Sequence, residues 1–219
     1  EFRREAQRLG IKVLPPSVNH SGVTFDVTPD GEGGLAIRYA LAAVKGVGSQ
    51  AVESVVQARE GRPFADLSDF AQRLNPRLVN KRTLESLIAA GALDEIEPDR
   101  ARAHAALDSI MAAAARSHEA QSAGQADIFG RGADTLRISP HAPWTASERL
   151  QREYEAIGFF LTGHPLDDYD PVLKRLRVPR WSDFARAVRE GVSMGRVAAP
   201  ILDRQERRAK RGSKKGEIA

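Results

Sequence analysis

Gly46 and Gly48 flank a single valine, Val47, directly before a stretch whose apolar residues have helical spacing. Glycines let a backbone turn tightly and let a ligand approach the main chain closely. The amides of Ser49 and Gln50 would open the next helix with the helix dipole behind them, and such amides bind anions. The spacing therefore predicts a helix-hairpin-helix turn that binds phosphate, with Val47 packed inward.

Contacts of this kind reach phosphates and not bases, so the turn would hold a nucleic-acid duplex without sequence preference. Lys45 precedes the turn and adds a positive charge. An ordinary glycine-turned helix pair has the same local pattern and stays open as an alternative. Residues 46–51 also fit G-x-G-x-x-A, a dinucleotide-binding fingerprint, with Asp66 at about the right distance. The residues before Asp66 lack the apolar β-rich run of a second buried strand, which disfavours that interpretation.

A second short helix-turn-helix pattern follows within residues 66–91. Its turn lacks glycines, and Asn80 is a suitable N-cap for its second helix. Lys81 and Arg82 open that helix and could contact a nucleic-acid backbone. As a hairpin, however, this second unit is predicted to be mainly structural.

Residues 121–143 are polar, contain glycine and proline, and are predicted to form a loop. Within them lies the pentapeptide Gln125, Ala126, Asp127, Ile128 and Phe129. Leaving two large apolar side chains exposed in a loop is unfavourable, so a loop that carries them is expected to insert them into another surface. We expect them to fill an apolar cleft on a partner, or else to fold back onto their own domain.

Composition limits the chemistry of the chain. It has no cysteine, which excludes disulfides and thiolate metal sites and suits a reducing cytoplasm. No paired carboxylates suited to two metal ions stand out, no histidines have ligand spacing, and no nucleophile arrangement is visible. There is also no run long enough to span a membrane and no signal peptide. These features favour a binding region over a catalytic one.

The positive charge is concentrated at the C-terminal end. Residues 192–219 contain eight Lys or Arg against three acidic residues, whereas the whole chain has a net charge of only +4. Such a basic end can contact a polyanion, although a solvated tail would have the same composition. The candidate contacts are Arg204, Arg207, Arg208, Lys210, Arg211, Lys214 and Lys215.

The elements expected to position these residues are mostly helical. We predict strands at 11–14 and 22–27, and a strand running into a short helix at 35–44. Helices follow, one N-capped by Ser49, one at 66–74, one after Asn80, one over 100–120, and one from a Thr145/Glu148 capping box through Leu161. A further helix opens at the acidic turn 167–170, and 192–202 is predicted to be a strand.

Several segments together resemble one family, the alpha (catalytic) subunits of bacterial DNA polymerase III, which are C-family replicative polymerases. The matching stretches occur in the order in which the family has them and cover most of the chain. They are GIKVLPPSVNHS at 10–21, IRYALAAVKGVGSQAVESVVQARE at 37–60, LVNKRTLESLIAAGALD at 78–94, GQADIFG at 124–130, GFFLTGHPLDDY at 158–169 and the basic KKG near the end.

The resemblance implies a fragment that runs from the end of the fingers (1–34) through a tandem helix-hairpin-helix and clamp-binding domain (35–176) to a connecting helix and truncated OB-domain start (177–219). Residues 46–50 would grip the phosphates of primer-template DNA, and residues 125–129 match the family's internal clamp-binding peptide. Gln125 would bond at the rim of a cleft on the sliding clamp while Ile128 and Phe129 fill it. The fold class expected is mainly α, with a small β element at the N-terminal end.

The same resemblance places the metal-binding palm acids before Glu1, so the fragment should not synthesise DNA alone. Mg²⁺ and the other replicase subunits belong to the parent chain, and no cofactor is expected in this fragment. Ser17 stands where the family often has Asp, and Val52 where many such hairpins carry Ala; neither change removes a phosphate-contacting amide. The alternative is a free-standing helix-hairpin-helix module of a repair or recombination protein, which would leave residues 125–129 unexplained.

Overall fold

The computed structural model describes residues 5–6, 8–122 and 136–201. The chain divides into two compact units, with the division between Gly163 and His164. No helix in the described part of the chain is both long and apolar enough to cross a membrane. The domain boundaries at 34/35 and 176/177 remain predictions.

A small sheet stands at the N-terminal end of the first unit. It consists of β1 (Lys12–Leu14), β2 (Asp26–Pro29) and β3 (Leu35–Arg38), in the order β1-β3-β2. Strand β3 pairs with β1 in parallel and with β2 antiparallel. β1 and β3 lie where they were predicted, whereas the strand predicted at 22–27 begins only at Asp26.

Helices make up most of the rest, which confirms the predicted class. A single 3₁₀ turn, Leu41–Ala43, leads into the helices. In the first unit these are α1 (Ser49–Arg59), α2 (Leu67–Arg73), α3 (Lys81–Ala89), α4 (Arg100–Ala105), α5 (Leu107–Ser122) and α6 (Ala146–Ile157). The second unit holds a 3₁₀ turn (Asp167–Tyr169), α7 (Asp170–Arg175) and α8 (Trp181–Arg189).

Side-chain caps set several of these helix starts. The side chain of Asn80 accepts a hydrogen bond from the Thr83 amide, as predicted. At the start of α6, Thr145 and Glu148 bond reciprocally to each other's backbone amides, so the predicted capping box is present. The side chain of Asp66 caps α2 by accepting from the Asp69 amide.

Four further predictions differ from the structure. Gly48, and not Ser49, is the N-cap of α1. The helix predicted over 100–120 is two helices that meet at Ala106. Helix α6 ends at Ile157 because Gly158 adopts the left-handed conformation, with φ of 97°. Finally, none of the described residues 192–201 forms a strand, since a strand needs a paired neighbour and this stretch has none among them.

The core of the first unit lies between its helices. α2 packs on α5, and α3 packs on α4, α5 and α6. Phe70, Leu84 and Ile110 are almost fully buried at these contacts. Because α3 touches three other helices, it is the central element of the unit.

An almost completely buried ion pair joins α4 to α6. The side chain of Arg100 is 3% exposed and that of Glu153 is 0% exposed, and Arg100 Nη1 lies 3.4 Å from Glu153 Oε2. Arg100 also donates to both oxygens of Asp94 and, at 3.0 Å, to the Ala89 carbonyl. Burial alone would lower the pKa of Arg100, but the bonds to Asp94 and the charge of Glu153 outweigh it and raise the pKa.

The Glu153 carboxylate binds the chain that follows α6. Oε1 accepts hydrogen bonds from the amides of Leu161 at 2.6 Å and Thr162 at 2.9 Å, and Oε2 accepts from the Thr162 hydroxyl at 2.7 Å. A buried carboxylate needs such donors, because an unpaired buried charge is costly. Glu153 therefore fixes both the packing of α6 and the course of the chain after it.

Gly91 should be intolerant of a side chain because of this ion pair. It has φ of 82°, and a methyl group there would lie 2.7 Å from Cζ of Arg100 and 2.9 Å from Oδ2 of Asp94. Gly61, with φ of 91° and nothing within 4 Å, is the matched control. We expect Gly61→Ala to lower the free energy of unfolding by about 1 kcal/mol, the penalty for the left-handed conformation. Gly91→Ala should cost a further ~1–3 kcal/mol, because Arg100 must leave its partners.

Urea unfolding followed by circular dichroism measures both variants. If both variants lost the same free energy of unfolding, Arg100 would be able to move away at no cost, and its position would not be fixed by Asp94 and Glu153.

Candidate nucleic-acid interface

The turn at 45–50 has the geometry of a hairpin between two helical segments. The 3₁₀ turn Leu41–Ala43 ends at Val44, and α1 begins at Ser49. Val47 is 8% exposed and belongs to the core cluster, so the prediction that it packs inward is confirmed. Its amide donates to the Val44 carbonyl at 3.2 Å, which closes the turn.

The two glycines of the turn have different roles. Gly46 has φ of 78°, a conformation that residues with a side chain adopt only at a cost, so the turn itself requires glycine there. Gly48 has φ of −80° and ψ of 150°, which any residue can adopt. A Cβ at Gly48 would meet nothing within 4 Å. The fold therefore does not demand glycine at 48, and what its missing side chain provides is open space next to the backbone.

The amides at the start of α1 face this open space. The first hydrogen bond within the helix runs from the Val52 amide to the Gly48 carbonyl, at 3.2 Å. The amides of Ser49 and Gln50 precede it, so they have no acceptor within the helix. Both residues are exposed. This arrangement can bind an anion, with the helix dipole of α1 behind it.

The turn is held in place by α6, which lies far away in the sequence. The Lys45 amide donates to the Ala156 carbonyl at 2.8 Å. The Lys45 side chain lies against Gly158, where a Cβ would be 3.3 Å from both Cε and Nζ. Lys45 is exposed at this position, so its ammonium group is available to an anion at the turn.

A shallow cleft of about 380 Å³ runs beside the turn, between α3 and α6. It brings together three residues predicted to contact nucleic acid, namely Lys45, Gly46 and Arg82. The remaining lining residues are Glu85, Ser86, Ala89, His104, Trp144, Arg152, Glu155 and Ala156. The cleft thus lies between the first hairpin turn and α3, which is the second helix of the second hairpin (α2 and α3).

The sequence prediction missed Trp144 and Arg152. The Arg152 guanidinium carbon lies 4.3 Å from the centre of the Trp144 ring, a cation–π contact. The ring of His104 approaches the same tryptophan, with ring centres 5.6 Å apart. Trp144 directly precedes the N-cap Thr145 and so lies outside α6, which means that helical spacing in the sequence does not relate it to Arg152.

The Lys81 side chain does not line the cleft. Its ammonium group lies 2.7 Å from the Asp108 carboxylate on α5, and both side chains are exposed. An exposed pair of this kind is weak, about 0–1 kcal/mol, so a polyanion can displace it. Contact between Lys81 and nucleic acid stays a prediction.

Several predicted residues lie outside the part of the chain that the structure describes. These are the pentapeptide 125–129 and the basic residues 204, 207, 208, 210, 211, 214 and 215. Within the described ranges, no cluster of three or more His, Cys, Asp or Glu side chains is arranged to hold a metal ion.

Two helical hairpins, open space at a glycine turn, and exposed residues at the start of the next helix define a helix-hairpin-helix region. Comparison with protein families agrees, since the model described as the helix-hairpin-helix motif matches residues 10–103. Both hairpins and the small sheet fall within this match.

Comparison with known proteins then finds relatives that match nearly the whole chain. The chain is 39% identical over 216 residues to DNA polymerase III subunit alpha of Caulobacter vibrioides, which covers 97% of this chain and 18% of that protein. It is 37% identical over 218 residues to the subunit alpha of Vibrio cholerae, again covering 97% of this chain and 18% of that protein. Identity to the Escherichia coli K12 subunit is 36% over 177 residues, 78% of this chain and 15% of that protein. The resemblance to DNA polymerase III alpha subunits is thereby confirmed, and the chain spans less than a fifth of the length of these relatives.

Arg152 and His104 both approach the Trp144 ring, and their proximity leads to a prediction about the titration of His104. Burial lowers the pKa of His104 below its ordinary value of 6.5, and the positive charge of Arg152 lowers it further. Since Arg152→Gln removes a like charge, it should raise the pKa of His104, so that the imidazolium persists to higher pH. Arg149→Gln removes the same charge from an exposed site on α6 that does not line the cleft, and should leave this pKa nearly unchanged.

Histidine NMR titration of the chain and both variants measures the effect. A His104 pKa that does not respond to Arg152→Gln would contradict the close approach of these two side chains.

Proposed function

We propose that this chain is the part of a replicative DNA polymerase that holds the primer-template duplex and binds the sliding clamp. The observation that carries the DNA-binding half is the open approach to the amides at the start of α1. Gly48 leaves that approach free although its backbone conformation does not require glycine. A phosphate can therefore reach the amides of Ser49 and Gln50, with Lys45 beside it.

Under this proposal, nucleotidyl transfer belongs to the parent chain, as do Mg²⁺ and the contacts with other replicase subunits. The similarity of nearly the whole chain to DNA polymerase III alpha subunits supports this assignment over a free-standing repair module. A cytoplasmic location is part of the same proposal. The role of this chain would be to position DNA and to keep the enzyme attached to it.

Substitution of Gly48 tests the phosphate contact without disturbing the turn. In Gly48→Ser the new side chain occupies the approach, and its hydroxyl can accept a hydrogen bond from an amide of the first helical turn. Serine is a favoured N-cap, so we expect the free energy of unfolding to stay within about 0.5 kcal/mol of the original. Duplex affinity should fall about tenfold, because one charge-assisted contact is lost.

Fluorescence anisotropy with labelled duplexes of two unrelated sequences measures this affinity over a range of salt concentrations. The original chain should bind both sequences equally and lose affinity steeply as salt increases. Gly61→Ala alters another exposed turn glycine, and its duplex affinity should equal that of the original chain once any unfolded fraction is subtracted. A strong preference for one sequence, or full affinity of Gly48→Ser, would contradict phosphate binding at this turn.

The clamp-binding half of the proposal is supported by the pentapeptide at 125–129. Its pattern of Gln, Asp, an aliphatic residue and Phe matches the internal clamp-binding peptide of the family that the chain resembles. Burying Ile128 and Phe129 in an apolar cleft would contribute roughly 3–6 kcal/mol before ordering costs. A weak contact is sufficient, because tethering keeps the enzyme at a high effective concentration near the primer end.

We expect the chain to bind a bacterial sliding clamp with a dissociation constant in the micromolar range. The double substitution Gln125→Ala/Phe129→Ala should abolish this binding, since it removes the rim hydrogen bond and the main apolar anchor. Gln121→Ala, at the exposed end of α5, is the control and should bind normally. Isothermal titration calorimetry gives all three affinities. Undiminished binding by the double variant would rule out this peptide as the tether, and absence of binding by the folded chain would leave only the DNA-binding half.

A further inference from the structure

We propose that Arg152, held by Trp144, is a second phosphate contact, which together with Arg82 extends the track that begins at the hairpin amides. This inference rests on the proposed duplex binding and adds α6 to the surface that touches DNA. Neither the hairpin pattern nor the basic C-terminal end assigns a role to Arg152 and Trp144. Their position in the cleft beside the turn indicates one.

The cleft extends from the hairpin turn to residues of α3 and α6. On α3, Arg82 and Ser86 are one turn apart, and a Cβ on Gly46 would lie 3.4 Å from the Ser86 hydroxyl oxygen. On α6, Arg152 lies one turn before Ala156, whose carbonyl accepts the Lys45 amide. Both arginines are thus displaced from the turn by one helical turn, about 5.4 Å. That distance is comparable to the separation of neighbouring phosphates along one strand of a duplex.

The environment of Trp144 favours a phosphate contact over a stacked base. The Arg152 guanidinium lies over the ring, 4.3 Å from its centre. The His104 ring is tilted by 59° to the indole, with ring centres 5.6 Å apart. A base that stacked on Trp144 would have to compete with these two neighbours for the ring. Stacking uses the face of the guanidinium and leaves its edge donors for a phosphate, so Trp144 acts as a positioning residue.

The charges of the cleft indicate what kind of anion it takes. Lys45, Arg82 and Arg152 line it together with two carboxylates, those of Glu85 and Glu155. Glu155 accepts a hydrogen bond from Gln151 at 2.9 Å on the surface of α6. With positive charge only slightly in excess, a free small anion would be held poorly. A phosphate of a strand already gripped by the hairpin is presented to the arginines at high effective concentration.

The test compares Arg152→Gln with Arg149→Gln, which removes the same charge from the same helix outside the cleft. Each phosphate contact contributes about 0.9 to the slope of log affinity against log salt. We expect Arg152→Gln to reduce the magnitude of that slope by about 0.9 and to weaken duplex binding about tenfold in low salt. Arg149→Gln should change both much less. Circular dichroism confirms that each variant is folded.

Two further measurements separate positioning from a general loss of structure. Trp144→Leu should weaken binding, and combining it with Arg152→Gln should add little, because both changes remove one contact. In a Trp181→Phe background, Trp144 is the remaining tryptophan of the chain, and its emission should change when duplex is added. Additive effects of the two substitutions would overturn the positioning role.

The outcomes distinguish this inference from the function on which it rests. If the original chain binds duplex and Arg152→Gln behaves like Arg149→Gln, the second phosphate contact is wrong and the hairpin contact stands. If the folded original chain binds no duplex, both proposals fail.

Discussion

The buried ion pair between Arg100 and Glu153 is the constraint on which the arrangement of the first unit depends. Two charges that are nearly inaccessible to water must find all their partners inside the protein. Arg100 finds them in Asp94, in a carbonyl of α3 and in Glu153, while Glu153 binds the chain just beyond α6. Such a pair need not add stability relative to apolar packing, but it allows few alternative positions. Helix α6 is thereby fixed against α3 and α4 in one orientation.

The candidate interface follows from that orientation. With Glu153 bound in the core, the neighbouring positions of α6 bring the Ala156 carbonyl to the Lys45 amide and Arg152 to the edge of the cleft. The hairpin turn is a local motif, yet its attachment is not local. Helix α6 therefore carries both a structural carboxylate, Glu153, and a side chain suited to bind phosphate, Arg152.

Local chemistry explains which parts of this structure could be predicted from the sequence. The caps at Asn80 and at Thr145 with Glu148 depend on residues three positions apart, and both are present. The inward valine and the left-handed Gly46 follow from the spacing of the turn alone. The break at Ala106 could not be predicted, because alanine favours a continuous helix and only packing divides α4 from α5. The cleft was missed because it needs α3, α4 and α6 to be brought together. The stack of Arg152 on Trp144 was missed because Trp144 lies before the N-cap of α6, outside the helix whose spacing could have related the two residues.

The hydrogen bond from the Lys45 amide to the Ala156 carbonyl has a consequence for how the chain is made. The residues of the first hairpin emerge early in synthesis, but the contact that attaches them can form only after residue 156 has been added. Contacts between such distant residues form late, since a long loop must close first. A nascent chain that ended within α5 would contain the whole glycine turn and none of the helix that orients it. The order of synthesis therefore delays completion of the candidate interface until most of the first unit exists.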